Sequence, residues 1–327
     1  MAGPERHEGV EGDVNKDYDV IIIGGGPAAL AAAIYTCRAL LKTVILEKKY
    51  LGGQLVGTEL IENYPGFPEV IGGFELTQRM EAQAKRFGAE IRYEEVLKLD
   101  VENGLKVVTT DTDKYASHIV ILASGADPKK LGVPGEDEFY GKGVSYCATC
   151  DGAFYRGKNV VVVGGGDSAI TEGIFLTKYA QTVQIIHRRD AFRATKIYLD
   201  DAFSNPKIKV ILNTVIESIY GKEKVDGVVT QNMVTKEKKD IPCDGVFVFI
   251  GSSPNTSFLG NLLCVDAGCH IETNIHMETA IEGLYAVGDI RKNSYRQIAT
   301  AIGEGVTAGI AAEHKLAEFK ASGKSKK

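Results

Sequence analysis

The sequence lacks three features that would place it in a specialised class of protein. Its hydrophobic runs are short, the longest being strand-sized stretches such as residues 20–23 and 160–163, so it offers no candidate membrane span. It has no excess of positive charge, because 38 Lys and Arg stand against 43 Asp and Glu. This balance argues against a nucleic-acid ligand. Six cysteines in 327 residues are too few for a disulfide scaffold.

Length and composition otherwise favour an ordinary globular protein of two domains with no membrane partner. Residues 1–17 are polar and have none of the apolar character of a secretory signal, so we expect a disordered N-terminal extension and a cytoplasmic protein. The small residues and lysines from residue 317 onward predict a flexible basic tail over residues 317–327.

A glycine-rich turn follows the first β-branched run. Residues 19–23 predict a strand, three glycines follow, and residues 27–41 predict a helix, which places a G-x-G-x-x-A pattern at Gly24, Gly26 and Ala29. The next predicted strand, residues 43–46, ends at Glu47. Glycines let a pyrophosphate approach the backbone, the helix start offers free N–H groups, and the acid accepts hydrogen bonds from an unphosphorylated ribose. The pattern therefore predicts a dinucleotide site.

The same pattern returns 140 residues later, with the same 23 positions from the first glycine to the end of the next strand. Where the first copy has Glu47, the second has a His-Arg-Arg run. A carboxylate repels a 2′-phosphate and guanidinium groups bind one, so the second site is expected to prefer NADPH. The candidate residues of this site are Gly164, Gly166, Asp167, Ser168, His187, Arg188, Arg189 and Arg193.

The ligand of the first site is less directly indicated. Two loops, residues 52–55 and 62–66, are more elaborate than a plain nicotinamide site requires. Near the C-terminus a strand-like stretch ends in Gly288 and Asp289, and Arg296, Gln297 and Ile298 open a helix rich in small residues. A second Gly-Asp returning to the first domain would suit the ribityl chain of a flavin, so spacing alone makes FAD one plausible ligand.

Two segments suit domain crossovers. Residues 119–126 predict a strand that runs into small residues and prolines, and residues 245–251 predict a similar strand followed by Ser-Ser-Pro-Asn. The second domain is therefore expected to be inserted into the first. The predicted fold class is α/β with two Rossmann-like, doubly wound βαβ domains.

Cys147 and Cys150 form a Cys-x-x-Cys pair, and Asp151 follows it. Such a dithiol stores two electrons, and the acid is placed to exchange a proton. The pair is alternatively half of a zinc site, but the other cysteines form no second Cys-x-x-Cys pair. We expect these four to be buried apolar cysteines: Cys37, Cys243, Cys264 and Cys269. A disulfide between Cys264 and Cys269 is left open.

Residues 143–152 resemble the redox motif of the low-molecular-weight thioredoxin reductases, and the resemblance extends from about residue 18 to residue 313. It implies a homodimer in which an FAD domain, residues 18–127 and 255–316, is split around an NADPH domain, residues 128–254, that carries the disulfide. It also implies that Cys150 lies against the flavin, Cys147 attacks thioredoxin and Asp151 donates a proton. The implied FAD-binding residues are Gly24, Gly26, Pro27, Ala28, Glu47, Gly53, Gln54, Leu55, Asn63, Ser124, Gly125, Gly288, Asp289, Arg296, Gln297 and Ile298.

The sequence departs from the family pattern at Thr171 and Glu304, where Glu and Asp are commoner, and at Ser124, where a Thr is commoner. Disulfide and nicotinamide must both reach one flavin, which predicts domain rotation about residues 126–130 and 252–256. Other interpretations stay open: reduction of a glutaredoxin-like or peroxiredoxin partner, a flavin dithiol oxidase that passes electrons to oxygen, and a non-enzymatic flavin- or zinc-holding module. The retained arginines argue against the oxidase.

Overall fold

The computed structural model of the chain describes residues 18–58, 61–263 and 268–323. The predicted N-terminal extension, Cys264 and the last four residues lie outside these ranges. The chain divides into two compact units: unit 1 comprises the residues up to Asp127 and from Ser253 onward, and unit 2 comprises Pro128–Ser252. None of the described helices is long and apolar enough to cross a membrane.

The strands of the described residues are β1 (Val20–Ile23), β2 (Thr43–Glu47), β3 (Glu90–Tyr93), β4 (Val96–Glu102), β5 (Leu105–Thr110), β6 (Lys114–Ser117), β7 (Ile119–Leu122), β8 (Ala126–Pro128), β9 (Val144–Ser145), β10 (Asn159–Gly164), β11 (Thr182–Ile186), β12 (Ile208–Ile211), β13 (Thr214–Gly221), β14 (Val225–Asn232), β15 (Lys238–Pro242), β16 (Gly245–Phe249), β17 (Ser252–Pro254) and β18 (Leu284–Ala286). The helices are α1 (Pro27–Arg38), α2 (Gly73–Arg86), α3 (Ala148–Asp151), α4 (Asp167–Leu176), α5 (Lys196–Ser204) and α6 (Ile298–Ala321), and short 3-10 turns cover Gly53–Gly57, Gly152–Tyr155, Ser257–Leu259 and Gly288–Ile290.

Unit 1 is built on a five-stranded parallel sheet in the order β18-β7-β1-β2-β3. Successive side chains of a strand point to opposite faces, and in β1 this sends Val20 and Ile22 into one core cluster and Ile21 and Ile23 into another. Both faces are covered, as a parallel sheet requires. A three-stranded antiparallel sheet, β4-β5-β6, is a second layer of the same unit.

Helices α1 and α6 pack against each other through small residues. A Cβ added to Gly305 would lie 2.2 Å from the carbonyl oxygen of Ala28, and one added to Gly309 would lie 3.1 Å from that of Ala32. The small residues of the C-terminal helix therefore let its backbone approach α1 closely, which brings the segment before α6 to the start of α1.

Unit 2 repeats the architecture. Its parallel sheet has the order β12-β11-β10-β16-β9, and β13, β14 and β15 form an antiparallel sheet. In β10, Val161 and Val163 belong to one core cluster, and Val160 and Val162 belong to the other. The α/β fold class predicted from the sequence, with two Rossmann-like units of parallel sheet, is confirmed.

One prediction about local structure is wrong. The tail does not begin at residue 317, because α6 continues to Ala321 and buries Leu316 and Phe319 in the core of unit 1. The strand-like stretch before Gly288 is confirmed as a strand, over Leu284–Ala286.

Candidate redox and cofactor sites

The carboxyl ends of the parallel strands gather the predicted residues of unit 1 along one edge of its sheet. The glycine turn follows β1, Glu47 ends β2, Ser124 follows β7, and Gly288 follows β18. In open α/β sheets ligands bind at this edge. These residues are far apart in the sequence, and they come together only because the strands that precede them are adjacent and parallel in the sheet.

The first glycine turn is shaped by the absence of side chains. Gly24 has φ +102°, and a Cβ there would lie 2.5 Å from the carbonyl oxygen of Ala123. Gly26 precedes α1, and a Cβ built on it meets nothing within 4 Å, so space is open in front of the helix. No side chain among the described residues caps the start of α1. Free N–H groups beside open space suit a pyrophosphate.

Two neighbours complete this turn. Glu47 accepts a hydrogen bond on Oε2 from the backbone N–H of Gly25 at 2.7 Å, so its carboxylate braces the turn. The N–H of Gly52 donates to the carbonyl of Gly25 at 2.8 Å, and a Cβ on Gly53 would lie 3.8 Å from the Cα of Gly26. The predicted loop at residues 52–55 thus lies directly beside the start of α1.

The C-terminal Gly-Asp pair returns to the same place. A Cβ on Gly288, which has φ +74°, would lie 3.3 Å from the Cβ of Ala28. Glu304 holds this segment, since it accepts from the Gly288 N–H at 2.6 Å and from the Arg291 guanidinium. Burial raises the pKa of Asp289 to about 6, against the opposing charge of Arg296. In a buried position a carboxyl group is stable when it is protonated or when it accepts a hydrogen bond from a hydroxyl group.

Pairs of side chains tie the remaining predicted residues of unit 1 together. Gln54 donates to Asp127 at 2.6 Å, Ser124 donates to the Asn255 carbonyl at 2.7 Å, and Asn63 donates to Gln297 at 3.3 Å. Sequence reasoning did not include Asp127, Asn255 or Glu304 among the site residues. The predicted crossovers at residues 126–130 and 252–256 gave a signal for Asp127 and Asn255, and Glu304 was noted only as a departure from the family pattern; the contacts of all three emerge from the fold.

The predicted FAD residues differ in what their side chains do. Leu55 and Ala28 are buried in the core of unit 1, and Ile298 packs against it, so only their backbones or surfaces are available to a ligand. The open glycine turn, the uncapped helix start and the two carboxyls of Glu47 and Asp289 fit a large dinucleotide. Unit 1 therefore has the groups that an FAD would require.

Unit 2 gathers its predicted residues in the same way. The glycine turn follows β10, the arginine segment follows β11, and the redox motif follows β9, so all three leave one edge of one parallel sheet. Gly164 has φ +155°, with a Cβ position 2.3 Å from the Phe249 carbonyl oxygen, and Gly166 faces open space at the start of α4. The geometry of the first turn is repeated.

The arginine segment is anchored to this turn by its backbone. The N–H of Arg193 donates to the carbonyl of Gly165 at 2.8 Å, and Asp167 accepts from the N–H of Thr195 at 2.6 Å. Arg188, Arg189 and Arg193 are exposed, and no ion pair joins them to another described residue. The guanidinium groups are thus held near the start of α4 and remain available to an anion. Asp167 thereby secures the segment.

His187 has a packing role. Its ring is 5% exposed, stacks on Phe192 at 5.3 Å between centroids, and would lie 2.2 Å from a Cβ on Gly165. Burial, with the nearby arginine charges, lowers the pKa of His187. A neutral, enclosed ring is a poor phosphate ligand, whereas the three arginines are exposed. Thr171 donates to the carbonyls of Asp167 and Ser168 in its own helix.

The two cysteines of the redox motif form a disulfide with a Cα–Cα distance of 5.3 Å. Cys147 precedes α3, and the N–H of Cys150 donates to the Cys147 sulfur at 3.1 Å. Both cysteines are half-buried. An N–H directed at the first sulfur favours its thiolate once the disulfide is reduced, and the thiolate is the nucleophile of disulfide exchange.

Ser145 and Asp151 flank this disulfide. Ser145 accepts from the N–H of Cys147 at 3.0 Å and donates to its carbonyl at 3.2 Å. Burial raises the pKa of Asp151, and a hydrogen bond from Ser145 works against that rise. A carboxyl whose pKa is raised holds a proton closer to neutral pH, which suits it to protonate a leaving thiolate.

The other cysteines are dispersed. Cys37 and Cys243 are buried free thiols as predicted, but Cys269 is exposed, so the prediction of a buried residue is wrong there. Burial raises the pKa of Cys243 to about 12, which makes it an inert thiol. Within the described ranges, no three His, Cys, Asp or Glu side chains are grouped to hold a metal ion.

Comparison with known proteins identifies the family. Residues 18–305 match the model of the pyridine nucleotide-disulphide oxidoreductases. The chain belongs to this family. Among its curated members, a thioredoxin reductase of Bacillus subtilis is 47% identical over 93% of this chain and 96% of its own length, and one of Treponema pallidum is 46% identical over 90% and 96%. The crystal structure of thioredoxin reductase from Streptococcus pyogenes has a TM-score of 0.88 at 43% identity, covering 92% of this chain and 99% of that one.

These relatives of the pyridine nucleotide-disulphide oxidoreductase family confirm the resemblance inferred from the redox motif and confirm that the chain is an enzyme, a flavoprotein oxidoreductase. FAD and NADPH, the two cofactors predicted from the sequence, are those of the family's thioredoxin reductases. The roles of single residues in binding them are proposals.

Proposed function

We propose that the chain is a thioredoxin-disulfide reductase, which passes electrons from NADPH through FAD and the Cys147–Cys150 disulfide to oxidised thioredoxin and so maintains cellular redox balance. The observation that carries the proposal is the location of the disulfide. It follows β9 at the same sheet edge as a glycine turn with three exposed arginines. The similarity to thioredoxin reductases over more than 90% of the chain supports it.

The two units take different cofactors in this proposal. Unit 1 holds FAD: Glu47 faces the ribose, the start of α1 binds the pyrophosphate, and the Asp289 carboxyl meets the sugar-alcohol chain. Unit 2 holds NADPH, whose 2′-phosphate lies among the arginines of residues 188–193. Bound FAD supplies a carrier that takes two electrons from the nicotinamide and gives them to the disulfide.

The chain's own residues perform the exchange with thioredoxin. The Cys147 thiolate attacks one sulfur of the thioredoxin disulfide, forming a mixed disulfide and releasing a thiolate that is protonated. Cys150 then attacks Cys147, which restores the Cys147–Cys150 disulfide and releases reduced thioredoxin. Asp151 supplies a proton, and Ser145 fixes the backbone of Cys147 throughout.

A homodimer remains a prediction from the family resemblance, and a cytoplasmic location remains a prediction from the sequence. The alternatives differ in electron donor or acceptor. A dithiol oxidase has no use for three exposed arginines at the end of β11, and a glutaredoxin-like or peroxiredoxin partner would be reduced by the same dithiol.

The test is anaerobic oxidation of NADPH by the purified FAD-loaded protein with oxidised thioredoxin as sole acceptor. Wild type is expected to oxidise NADPH rapidly, and Cys147→Ser is expected to lose turnover while NADPH still bleaches the flavin. Cys243→Ser, which replaces a buried thiol remote from the motif in sequence, is the control and is expected to retain turnover.

Two results would contradict the proposal in different ways. If NADPH bleaches the flavin but thioredoxin takes up no electrons, the partner is wrong. If NADPH leaves the flavin oxidised, the interpretation of the arginine segment is wrong and the oxidase becomes the better interpretation.

A further inference from the structure

A buried carboxylate outside the described sites is connected to the redox motif. Glu136 is 2% exposed, and its carboxylate accepts three hydrogen bonds. The N–H groups of Leu131 and Gly132 donate to Oε1 and Oε2 at 2.8 and 2.7 Å. The third donor is the hydroxyl of Tyr146, at 2.9 Å from Oε1, and Tyr146 immediately precedes Cys147. All these residues belong to unit 2.

The Tyr146 side chain is held in this contact. Burial and the Glu136 carboxylate raise the pKa of the Tyr146 phenol, so it stays protonated and donates. Its ring packs at 5.7 Å from that of Tyr140 and against the core cluster that contains Phe139 and Val144. The side chain is therefore fixed at both its ring and its hydroxyl.

Three hydrogen bonds that hold the backbone of Cys147 are short-range. Its N–H donates to Ser145, and its carbonyl accepts from Ser145 and from the N–H of Asp151 at 3.2 Å. These bonds shape the loop but join only residues within it. The Tyr146–Glu136 bond spans ten positions of sequence and fixes the loop to the chain entering unit 2.

We propose that Glu136 and Tyr146 act as positioning residues that hold Cys147 near Cys150 when the disulfide is open, and so set the reduction potential of the pair. In the disulfide, the covalent bond already restrains Cys147. In the dithiol, only the backbone and its anchors do so. Loosening the anchor would increase the conformational entropy of the dithiol and lower the effective concentration of one sulfur at the other. The inference rests on the proposed function only in treating the pair as redox-active.

The predicted effect is a shift toward the dithiol in Tyr146→Phe, which removes one hydroxyl and keeps the ring. A hydrogen bond to a charged group contributes about 1.5–3 kcal/mol to the stability of a folded protein. Only the part of this free energy that is lost in the dithiol form and not in the disulfide form shifts the equilibrium between them. We expect the equilibrium constant for disulfide formation to fall about 3- to 10-fold. A tenfold change corresponds to about 30 mV for a two-electron couple, with the potential becoming less negative.

The experiment equilibrates the full-length FAD-loaded protein in anaerobic dithiothreitol buffers of defined poise, then alkylates free thiols and counts the modified Cys147 and Cys150 by mass spectrometry. Tyr220→Phe removes a phenol hydroxyl from an exposed position on β13 of the same unit and is the matched control. Glu136→Gln is a second variant, because its one amide oxygen is a neutral, weaker acceptor for the Tyr146 hydroxyl, and its NH2 group, in place of Oε2, cannot accept from the Gly132 N–H. We expect it to shift the potential in the same direction.

A shift in Tyr146→Phe that is absent in Tyr220→Phe, with a double variant no stronger than the larger single one, supports the proposal. A lowered unfolding temperature with an unchanged potential in both Tyr146→Phe and Glu136→Gln would show a purely structural contact and overturn it. The alkylation readout uses neither NADPH nor thioredoxin, so a failure of the proposed function in the turnover assay is seen separately.

Discussion

Lys106 is a lysine in the interior of unit 1, and its replacement gives a quantitative test of the structure. It lies on β5 and is 1% exposed. Its Nζ donates to the carbonyl of His118 at 2.7 Å and lies 5.8 Å from the centre of the Phe319 ring. A Cβ on Gly283 would come within 2.5 Å of that nitrogen, so only glycine leaves room for it. No second hydrogen-bond acceptor for Nζ occurs among the described residues.

Burial lowers the pKa of Lys106 to about 8, against the weaker opposing effect of the Glu282 carboxylate. Because the folded-state pKa lies below the unfolded value of 10.5, the unfolded chain binds this proton more tightly. The destabilisation is therefore complete below pH 8 and disappears as the pH rises to 10.5. A pKa difference of this size corresponds to about 3 kcal/mol in the free energy of unfolding.

Lys106→Met keeps the length of the side chain and removes the charge. It also leaves the His118 carbonyl without its donor, at a cost of about 1–2 kcal/mol. The variant is therefore expected to be about 1–2 kcal/mol more stable than wild type at pH 7 and about 1–2 kcal/mol less stable near pH 10.5. The change of sign with pH is the specific prediction.

The assay is denaturant unfolding of the FAD-loaded protein between pH 7 and 10.5, followed by flavin fluorescence. Lys98→Met is the control, because Lys98 is exposed on the neighbouring strand β4, and we expect its difference from wild type to vary little with pH. A stability difference for Lys106→Met that stays constant from pH 7 to 10.5 would refute the reasoning about burial.

Two further predictions concern the sites. Asp151→Asn is expected to slow turnover with thioredoxin on the order of 100-fold while leaving flavin reduction by NADPH unchanged, because only the proton donor is lost. Since burial raises the pKa of Asp151, the wild-type rate should fall as the pH rises through that pKa, and stopped-flow profiles of the Asn variant should lack this fall; an unchanged turnover rate would contradict the role. Arg188→Ala is expected to raise KM for NADPH about 10-fold with little effect on NADH, since one charge-assisted contact to the 2′-phosphate is lost. Initial rates with both cofactors test this, with Lys209→Ala, an exposed cation on β12, as the control, and an equal loss with NADH would count against the phosphate contact.

Much of the molecule follows from local sequence. The glycine turns, the strands before them and the helices after them were predictable because each is set by short-range rules: β-branched runs, glycines at positive φ and small residues at a helix start. The duplication at constant spacing predicted two similar units, and the Cys-x-x-Cys pair with its following acid predicted the redox chemistry. These signals need no knowledge of which segments meet.

Tertiary structure decided what long-range packing controls. His187 was predicted as a residue of the second nucleotide site from its position at a strand end, and the structure shows that its ring fills the space beside Gly165. Helix α6 continues past residue 317 because Leu316 and Phe319 are buried in the core of unit 1. The composition of this segment did not indicate that burial. Cys269 is exposed although cysteines are usually buried.

The partners of buried polar groups could not be predicted from the sequence either. Nothing near Glu136 indicates that its carboxylate meets Tyr146, and nothing near Lys106 indicates a pocket closed by Gly283. Sequence motifs indicate the groups that a ligand requires, whereas these buried contacts depend on which segments the order of the strands in the sheet brings together. The sequence by itself therefore determined the two nucleotide folds and the dithiol. Only the tertiary structure decided how the dithiol is held, because a buried hydrogen bond forms where distant segments pack and leaves no local pattern.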